Sequence, residues 1–255
     1  MQYMGGKSRI SKRIAGVITN EIYGWQIADR GADSMCDRER ERERERESNT
    51  LVSLFCGTCS VESKLTCFDK IICNDNHEYL IEMLRGVQNG YELPEFITLE
   101  DYQYIRAHKD EDKVLAGFVG FGCSFGGKWF GGYARNKGGT NYARQSKTSL
   151  LKDMATLKNA TFICADYRDV ILPEGAVIYA DPPYANTTGY NHDKFDSVAF
   201  WDYMREIGKE HRVFISEQEA PDDFKCIWEK QFTRTLDRNK QNQFKVSEKL
   251  FTYRR

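Results

Sequence analysis

Short apolar runs separated by longer amphipathic or glycine-rich stretches set the pattern of this chain. Thr50 to Phe55 is apolar enough for a buried strand, and Lys70 to Asp75 predicts a second strand that ends on an acid. Ser60 to Cys67, between them, has the length of a helix. Residues 50–75 therefore read as a β-α-β unit with a glycine-containing turn after its first strand. Ala160 to Ala165, Ala176 to Ala180 and Arg212 to Ser216 are further short apolar runs with β-branched or aromatic members. From Asp196 to Glu210 the period changes: Val198, Trp201, Met204 and Ile207 recur every three residues on one helical face, with Asp196 or Ser197 placed as N-cap. Strands alternating with helices predict an α/β fold with a mostly parallel sheet.

Two segments break this alternation. From Asp37 to Glu47 acid and arginine alternate strictly, a self-neutralising run that predicts a solvated insertion, over 36–49, between an N-terminal helix and the first strand. From Lys113 to Lys152 there is no Asp or Glu, while seven Lys or Arg, nine glycines and several aromatics occur. Such a composition predicts a poor fold core and a good polyanion surface, because the cations neutralise phosphates and the glycines allow close backbone approach.

Overall charge sharpens that reading. Thirty-seven Lys plus Arg against thirty-eight Asp plus Glu leave a net charge of -1, so a polyanion partner must be met by a local basic patch. Lys128, Arg135, Lys137, Arg144 and Lys147 are the candidate nucleic-acid contacts, and Arg135, in a Gly/Tyr-flanked turn, is the candidate base reader. No run approaches the roughly 18 apolar residues of a membrane span, and the basic start lacks the apolar core of a signal peptide, so a cytoplasmic protein without a membrane partner is expected. The eight cysteines then read as reduced thiols, and none has zinc-finger spacing, so no metal is expected. The single close pair, Cys56-Gly57-Thr58-Cys59, leaves a thioredoxin-like redox pair open as a distant alternative.

The sharpest chemical signal is Asp181-Pro182-Pro183-Tyr184, directly after the apolar run Ala176 to Ala180. Strand ends of open α/β sheets are where ligands bind. Two prolines stiffen the backbone and remove two N–H donors, so the Pro182 carbonyl can be held toward a ligand. An exocyclic amino group on a nucleobase is a poor nucleophile until acceptors take its hydrogens and localise its lone pair. The Asp181 carboxylate and the Pro182 carbonyl are suited to be those acceptors, and Tyr184 to stack on a base flipped out of its helix.

Asp181-Pro182-Pro183-Tyr184, together with Tyr3-Met4-Gly5-Gly6-Lys7 and Phe55-Cys56-Gly57-Thr58-Cys59, resembles the Dam-like (D12 class) DNA adenine-N6 methyltransferases. The order of these segments is similar to that of the alpha group, and Ala165-Asp166-Tyr167 and Ser247 to Phe251 look like the family's later segments. The resemblance implies S-adenosylmethionine as cofactor. It implies that Tyr3, Gly5, Gly6 and Lys7 border it, that Phe55 and Gly57 lie against its methionine part, that Asp166 and Tyr167 sit by its adenine, and that Asp181 lies between cofactor and target base. Asp75 is implied as the acceptor for the ribose hydroxyls, a role that an acid ending the second strand of a β-α-β unit also suggests. Where the family has an acid and a proline before the Phe of the glycine loop, this chain has Ser53-Leu54.

The expectation is thus a Rossmann-like S-adenosylmethionine-dependent methyltransferase fold from residues 1–81 and 158–255, with a small, mainly helical target-recognition region over 82–157. It would methylate adenine N6 in double-stranded DNA. A catalytically silent DNA-binding relative, or an enzyme acting on cytosine N4 or RNA adenine, are the alternatives. A restriction endonuclease partner is compatible with this reading but not inferable from sequence.

Overall fold

The structure, a computed structural model, describes residues 1–29, 49–183, 195–235 and 243–253. Its strands are β1 (Thr50–Ser53), β2 (Lys70–Asp75), β3 (Thr161–Cys164), β4 (Val177–Ala180), β5 (Arg212–Glu217), β6 (Phe224–Thr235) and β7 (Gln243–Tyr253). They form one seven-stranded sheet in the order β3-β2-β1-β4-β5-β7-β6. β2 runs parallel to β3 and β4 parallel to β5, whereas β7 is antiparallel to both β5 and β6. All four residues of β1 and of β4 are buried, so neither strand shows the apolar-polar alternation of a half-exposed one; β4 is apolar apart from the Tyr179 hydroxyl, and β1 buries Thr50 and Ser53 beside Leu51 and Val52. The strand order reverses between β1 and β4, the topological switch at which open α/β sheets bind ligands beyond the strands' carboxyl ends.

The chain resolves into two compact units, one of residues 1–15 and 53–171, the other of 16–52 and 172–255, with helix α1 (Ser11–Asp29) beginning in the first and continuing in the second. In the first unit, helix α2 (Glu78–Gln88) buries Leu80, Ile81, Met83, Leu84 and Val87, the 3-4 spacing of an amphipathic face. Helix α3 (Leu99–Ala107) starts from a reciprocal capping box between Thr98 and Asp101. Helix α4 (Lys113–Gly117) runs into a π-helical turn, Phe118–Gly122, and helix α5 (Tyr142–Met154) starts at an Asn141 side chain that accepts from the Arg144 amide.

Two expectations change in this unit. The helix expected over Ser60 to Cys67 is only a 3-10 turn, Glu62–Lys64. Polar bonds to distant residues hold this segment: Ser53 Oγ donates to the buried Glu62 carboxylate at 2.5 Å, and Ser63 Oγ and Lys64 Nζ reach Asp153 at 3.2 and 2.7 Å. The acid-free stretch is also no poor core. Phe118, Val119, Phe121 and Phe130 are buried in the main cluster of the first unit, and Trp129 packs its ring against those of His77, Tyr79, Phe121 and Phe130. Its aromatics pack inward against Tyr3, His77, Tyr79 of α2 and Tyr102 of α3. Phe125 is the exception, at 71% exposure.

In the second unit, helix α6 (Ser197–Ile207) starts where expected, with the Asp196 side chain accepting from the Ala199 amide. Its buried face is Phe200, Trp201 and Met204, while Val198 is 73% exposed, so the true stripe follows 3.6 residues per turn rather than strict triplets. The long β6/β7 hairpin went unpredicted. Its strands mix charged and apolar residues and carry no long apolar run, and a register shift falls between Cys226 and Trp228. Among the described residues, no helix is long and apolar enough to cross a membrane.

Asp196→Ala should lower unfolding free energy by about 1 kcal/mol, since it removes the cap of a helix that buries three large side chains. Urea unfolding of the variant, compared with Asp202→Ala on the same helix, checks this.

Candidate active site

The site in the first unit is built on the carboxyl tip of β2. Asp75 is the last residue of that strand and is buried, with its carboxylate accepting from the Gly57 amide at 3.1 Å and the His77 amide at 3.0 Å. Burial pushes its carboxyl up to about 6, although the amides of His77, Gly57 and Asn76 pull the other way. A carboxylate offers about four acceptor positions, so these bonds leave capacity for a diol. Two residues on, His77 lies edge-on to the rings of Phe121 and Trp129, and its Nδ1 is buried without a hydrogen-bond partner among the described residues. Burial drives this imidazole down to about 4.

The N-terminal segment closes over the glycine loop. Gly57 has φ +50, and a Cβ there would stand 3.1 Å from Cε1 of Tyr3, so only glycine lets the loop lie under that ring. Tyr3 is held in turn from the other side: the Met4 amide donates to the Gly127 carbonyl at 3.2 Å, and a Cβ on Gly127 would sit 2.6 Å from the Tyr3 backbone. Gly5, at φ +81, forms the turn in which the Gly6 amide donates back to the Tyr3 carbonyl at 3.0 Å. Lys7 is buried, and its Nζ approaches the Gly5 carbonyl at 3.4 Å.

At the end of β3, the Tyr167 ring lies 5.1 Å from that of Phe55, so the loops after β1 and β3 meet through an aromatic pair. Asp166 is engaged otherwise than a free adenine acceptor would be. Arg168 donates to both of its oxygens, at 2.8 and 2.9 Å, and holds its carboxyl below the usual range. Cys56, Cys59 and Cys73 are buried; burial pushes the Cys56 and Cys59 thiols well above their ordinary range, whereas the Cys73 thiol, hydrogen-bonded by both, is pulled down.

In the second unit, Asp181 follows β4 directly, half-buried like Pro183, with Pro182 buried between them. The strand end is anchored from inside, where Tyr179 Oη and Ser216 Oγ of β5 share a buried hydrogen bond of 2.9 Å. Tyr184 and the Arg/Glu run lie outside the described residues.

The five candidate nucleic-acid cations divide into two groups. Lys128, Arg135 and Lys137 are exposed, with no ion pair among the described residues. Arg144 and Lys147 converge instead on Glu95, at 3.1 and 2.6 Å, and Lys113 pairs with Glu78. An acid-free window in sequence is therefore not an acid-free surface, because both acids come from before it. The described residues contain no group of three or more His, Cys, Asp or Glu able to hold a metal ion.

The sheet order, with an antiparallel β7 between β5 and β6, is that of a Rossmann-like S-adenosylmethionine-dependent methyltransferase. A sequence model of the D12 class N6 adenine-specific DNA methyltransferases matches residues 36–115 and 129–246, and the chain belongs to that family. It is 31% identical over 115 residues to a DNA adenine methylase of Serratia marcescens, a match that takes in 38% of this chain and spans 43% of that enzyme's length. Among solved structures, a tRNA (m1A58) methyltransferase of Aquifex aeolicus overlaps at 9% identity and a TM-score of 0.35, covering 80% of this chain and 62% of the other. An rRNA methylase of Streptococcus thermophilus overlaps at 7% identity and 0.34, covering 82% and 87%. Overlaps this shallow leave the fold to be read from the sheet itself.

The residues present fit S-adenosylmethionine, the cofactor of this fold. A buried acid with spare acceptor capacity at the tip of β2 suits a ribose diol, and a glycine whose missing Cβ keeps the loop surface clear suits close approach of a ligand.

Asp75 and His77 shift in opposite directions, and this should show in stability against pH. The native state holds the Asp75 proton more tightly than the unfolded chain does, so this group's contribution falls as pH rises from 3.8 to about 6, by roughly 3 kcal/mol for that gap. Native His77 holds its proton less tightly than the unfolded chain, so its contribution is lost as pH falls from 6.5 to about 4. In Asp75→Asn the opposing Asp75 contribution is removed, and urea unfolding between pH 4 and 6.5 should show stability falling more steeply with acid than in the parent chain.

Proposed function

We propose that this chain transfers a methyl group from S-adenosylmethionine to N6 of adenine in double-stranded DNA. The observation that carries the reading is Asp181-Pro182-Pro183 directly after β4, in a chain of the D12 class family whose β2 ends on the buried Asp75. In this reading Asp75 takes the ribose hydroxyls, and Tyr3, Gly5, Gly6, Lys7, Phe55 and Gly57 border the cofactor. Tyr167, whose ring meets that of Phe55, lines the adenine side, and Asp166 reaches it only if Arg168 yields.

When bound, S-adenosylmethionine supplies a methyl group on a sulfonium that is already an activated leaving group. The chain's own part is positioning and charge. The Asp181 carboxylate and the Pro182 carbonyl accept hydrogen bonds from the adenine amino group, which localises the nitrogen lone pair toward attack, the one proton lost on methylation leaves by way of Asp181 to solvent, and Tyr184 stacks on the flipped base. Residues 82–157 serve as the target-recognition region and 1–81 with 158–255 as the catalytic part. Lys128, Arg135 and Lys137 lead the DNA contact, with Arg135 reading a base.

Asp181→Ala should cut methyl transfer by about 100-fold or more while cofactor affinity and unfolding midpoint stay near those of the parent. Tritium transfer from labelled cofactor to unmethylated duplex DNA reads this. Transfer only to RNA or to cytosine, or none at all by the parent chain, would overturn the assignment.

The DNA surface has its own test. Lys128→Ala, Arg135→Ala and Lys137→Ala should weaken duplex binding. A variant that loses a phosphate contact should also reduce the slope of log affinity against log salt by about one unit. Arg144→Ala and Lys147→Ala should change the slope less, because Glu95 already offsets their charge.

A further inference from the structure

Asn74 is a polar residue in the apolar run of β2, 1% exposed, and nothing in the reading above uses it. Its single side-chain nitrogen donates both hydrogens, one to the Leu54 carbonyl at 3.0 Å and one to the Ala165 carbonyl at 3.1 Å. Its backbone carbonyl accepts from the Cys56 amide at 2.8 Å. Asn74 therefore grips the chain on both sides of Phe55 and, with the same amide group, the residue that leads into Asp166 and Tyr167. Asp75, the proposed ribose acceptor, is its neighbour in the strand.

The chemistry requires this side chain. Both partners are carbonyl oxygens, so the amide can be oriented only with its nitrogen toward them. A hydroxyl has one hydrogen to give and a carboxylate none. The amide oxygen is left buried with no partner among the described residues. An unsatisfied buried acceptor is costly, which marks a position kept for its two donors rather than for packing. The Phe55 and Tyr167 rings, 5.1 Å apart, are carried by the two loops so joined.

We propose that Asn74 is the positioning residue of the cofactor site, tying the loop after β1 to the loop after β3 so that Phe55, Gly57 and Tyr167 present one preformed surface to S-adenosylmethionine. This rests on the methyltransferase reading, which assigns the cofactor to those loops. Asn74 touches no reacting atom in this role and acts through the loops it holds.

The test is Asn74→Asp, nearly the same in shape, which replaces two donors with an acceptor facing two carbonyls, together with Asn74→Ser, which can restore one bond. Calorimetry with S-adenosylmethionine alone, at a temperature well below each unfolding midpoint, should show affinity reduced roughly tenfold or more in Asn74→Asp and less in Asn74→Ser. In the transfer assay the cofactor KM should rise while the DNA KM and the rate at saturating cofactor stay within about threefold of the parent. A merely structural role would instead lower the unfolding midpoint and the active fraction at unchanged cofactor affinity. That outcome, or parent-like affinity in Asn74→Asp, overturns the proposal. If Asn74→Asp does not fold, parent-like affinity in Asn74→Ser overturns it equally. Failure of the parent chain itself to bind S-adenosylmethionine would instead bring down the methyltransferase reading.

Discussion

A carboxylate taken out of water persists in a protein only where donors reach it, and at Asp75 the donors are the backbone amides of Gly57 and His77. That clamp ties the tip of β2 to the glycine loop after β1, and the loop's conformation follows from it. Gly57 has a left-handed φ, and with no Cβ it lets Tyr3 lie against it. Tyr3 in turn fits only because Gly127 leaves room for its backbone. Three segments distant in sequence thus depend on how one buried charge is satisfied. The same burial that raises the Asp75 carboxyl also sharpens its attraction for any donor that a ligand brings.

Asn74 extends the arrangement to β3. Adjacent strand residues point to opposite faces, so Asp75 and Asn74 divide the work at the end of β2, the acid accepting from one loop and the amide donating to the carbonyls of two. The apolar surroundings make each bond worth keeping, since a carbonyl left unpaired there would lose more than an exposed one. Rigid positioning of this kind suits a reaction in which the protein's contribution is orientation and charge placement rather than covalent participation.

The glycine-rich basic stretch shows the limit of reading charge along a chain. Its buried rings build the core of the first unit, and three of its cations meet acids from α2 and from the segment before α3. The other four, Lys128, Arg135, Lys137 and Lys152, are exposed, as is the ring of Phe125.

Local signals were sufficient wherever the physics is local. The apolar runs of β1, β2, β4 and β5, the Asp196 cap, the acid closing β2 and the Asp181-Pro182-Pro183-Tyr184 segment after β4 could all be read directly, because burial on both faces, capping and proline stiffness each leave their mark within a few residues. Tertiary structure alone decided the rest. Glu62 and Asp153 draw residues 60–67 out of the expected helix, Arg168 occupies Asp166, Glu95 offsets Arg144 and Lys147, and Phe200 replaces Val198 on the buried face of α6. Asn74 belongs here too, since an asparagine in an apolar run announces a buried polar group but not its partners. Those partners lie 20 and 91 residues away, and hydrogen bonds and ion pairs depend on distance in space, which no window of sequence contains.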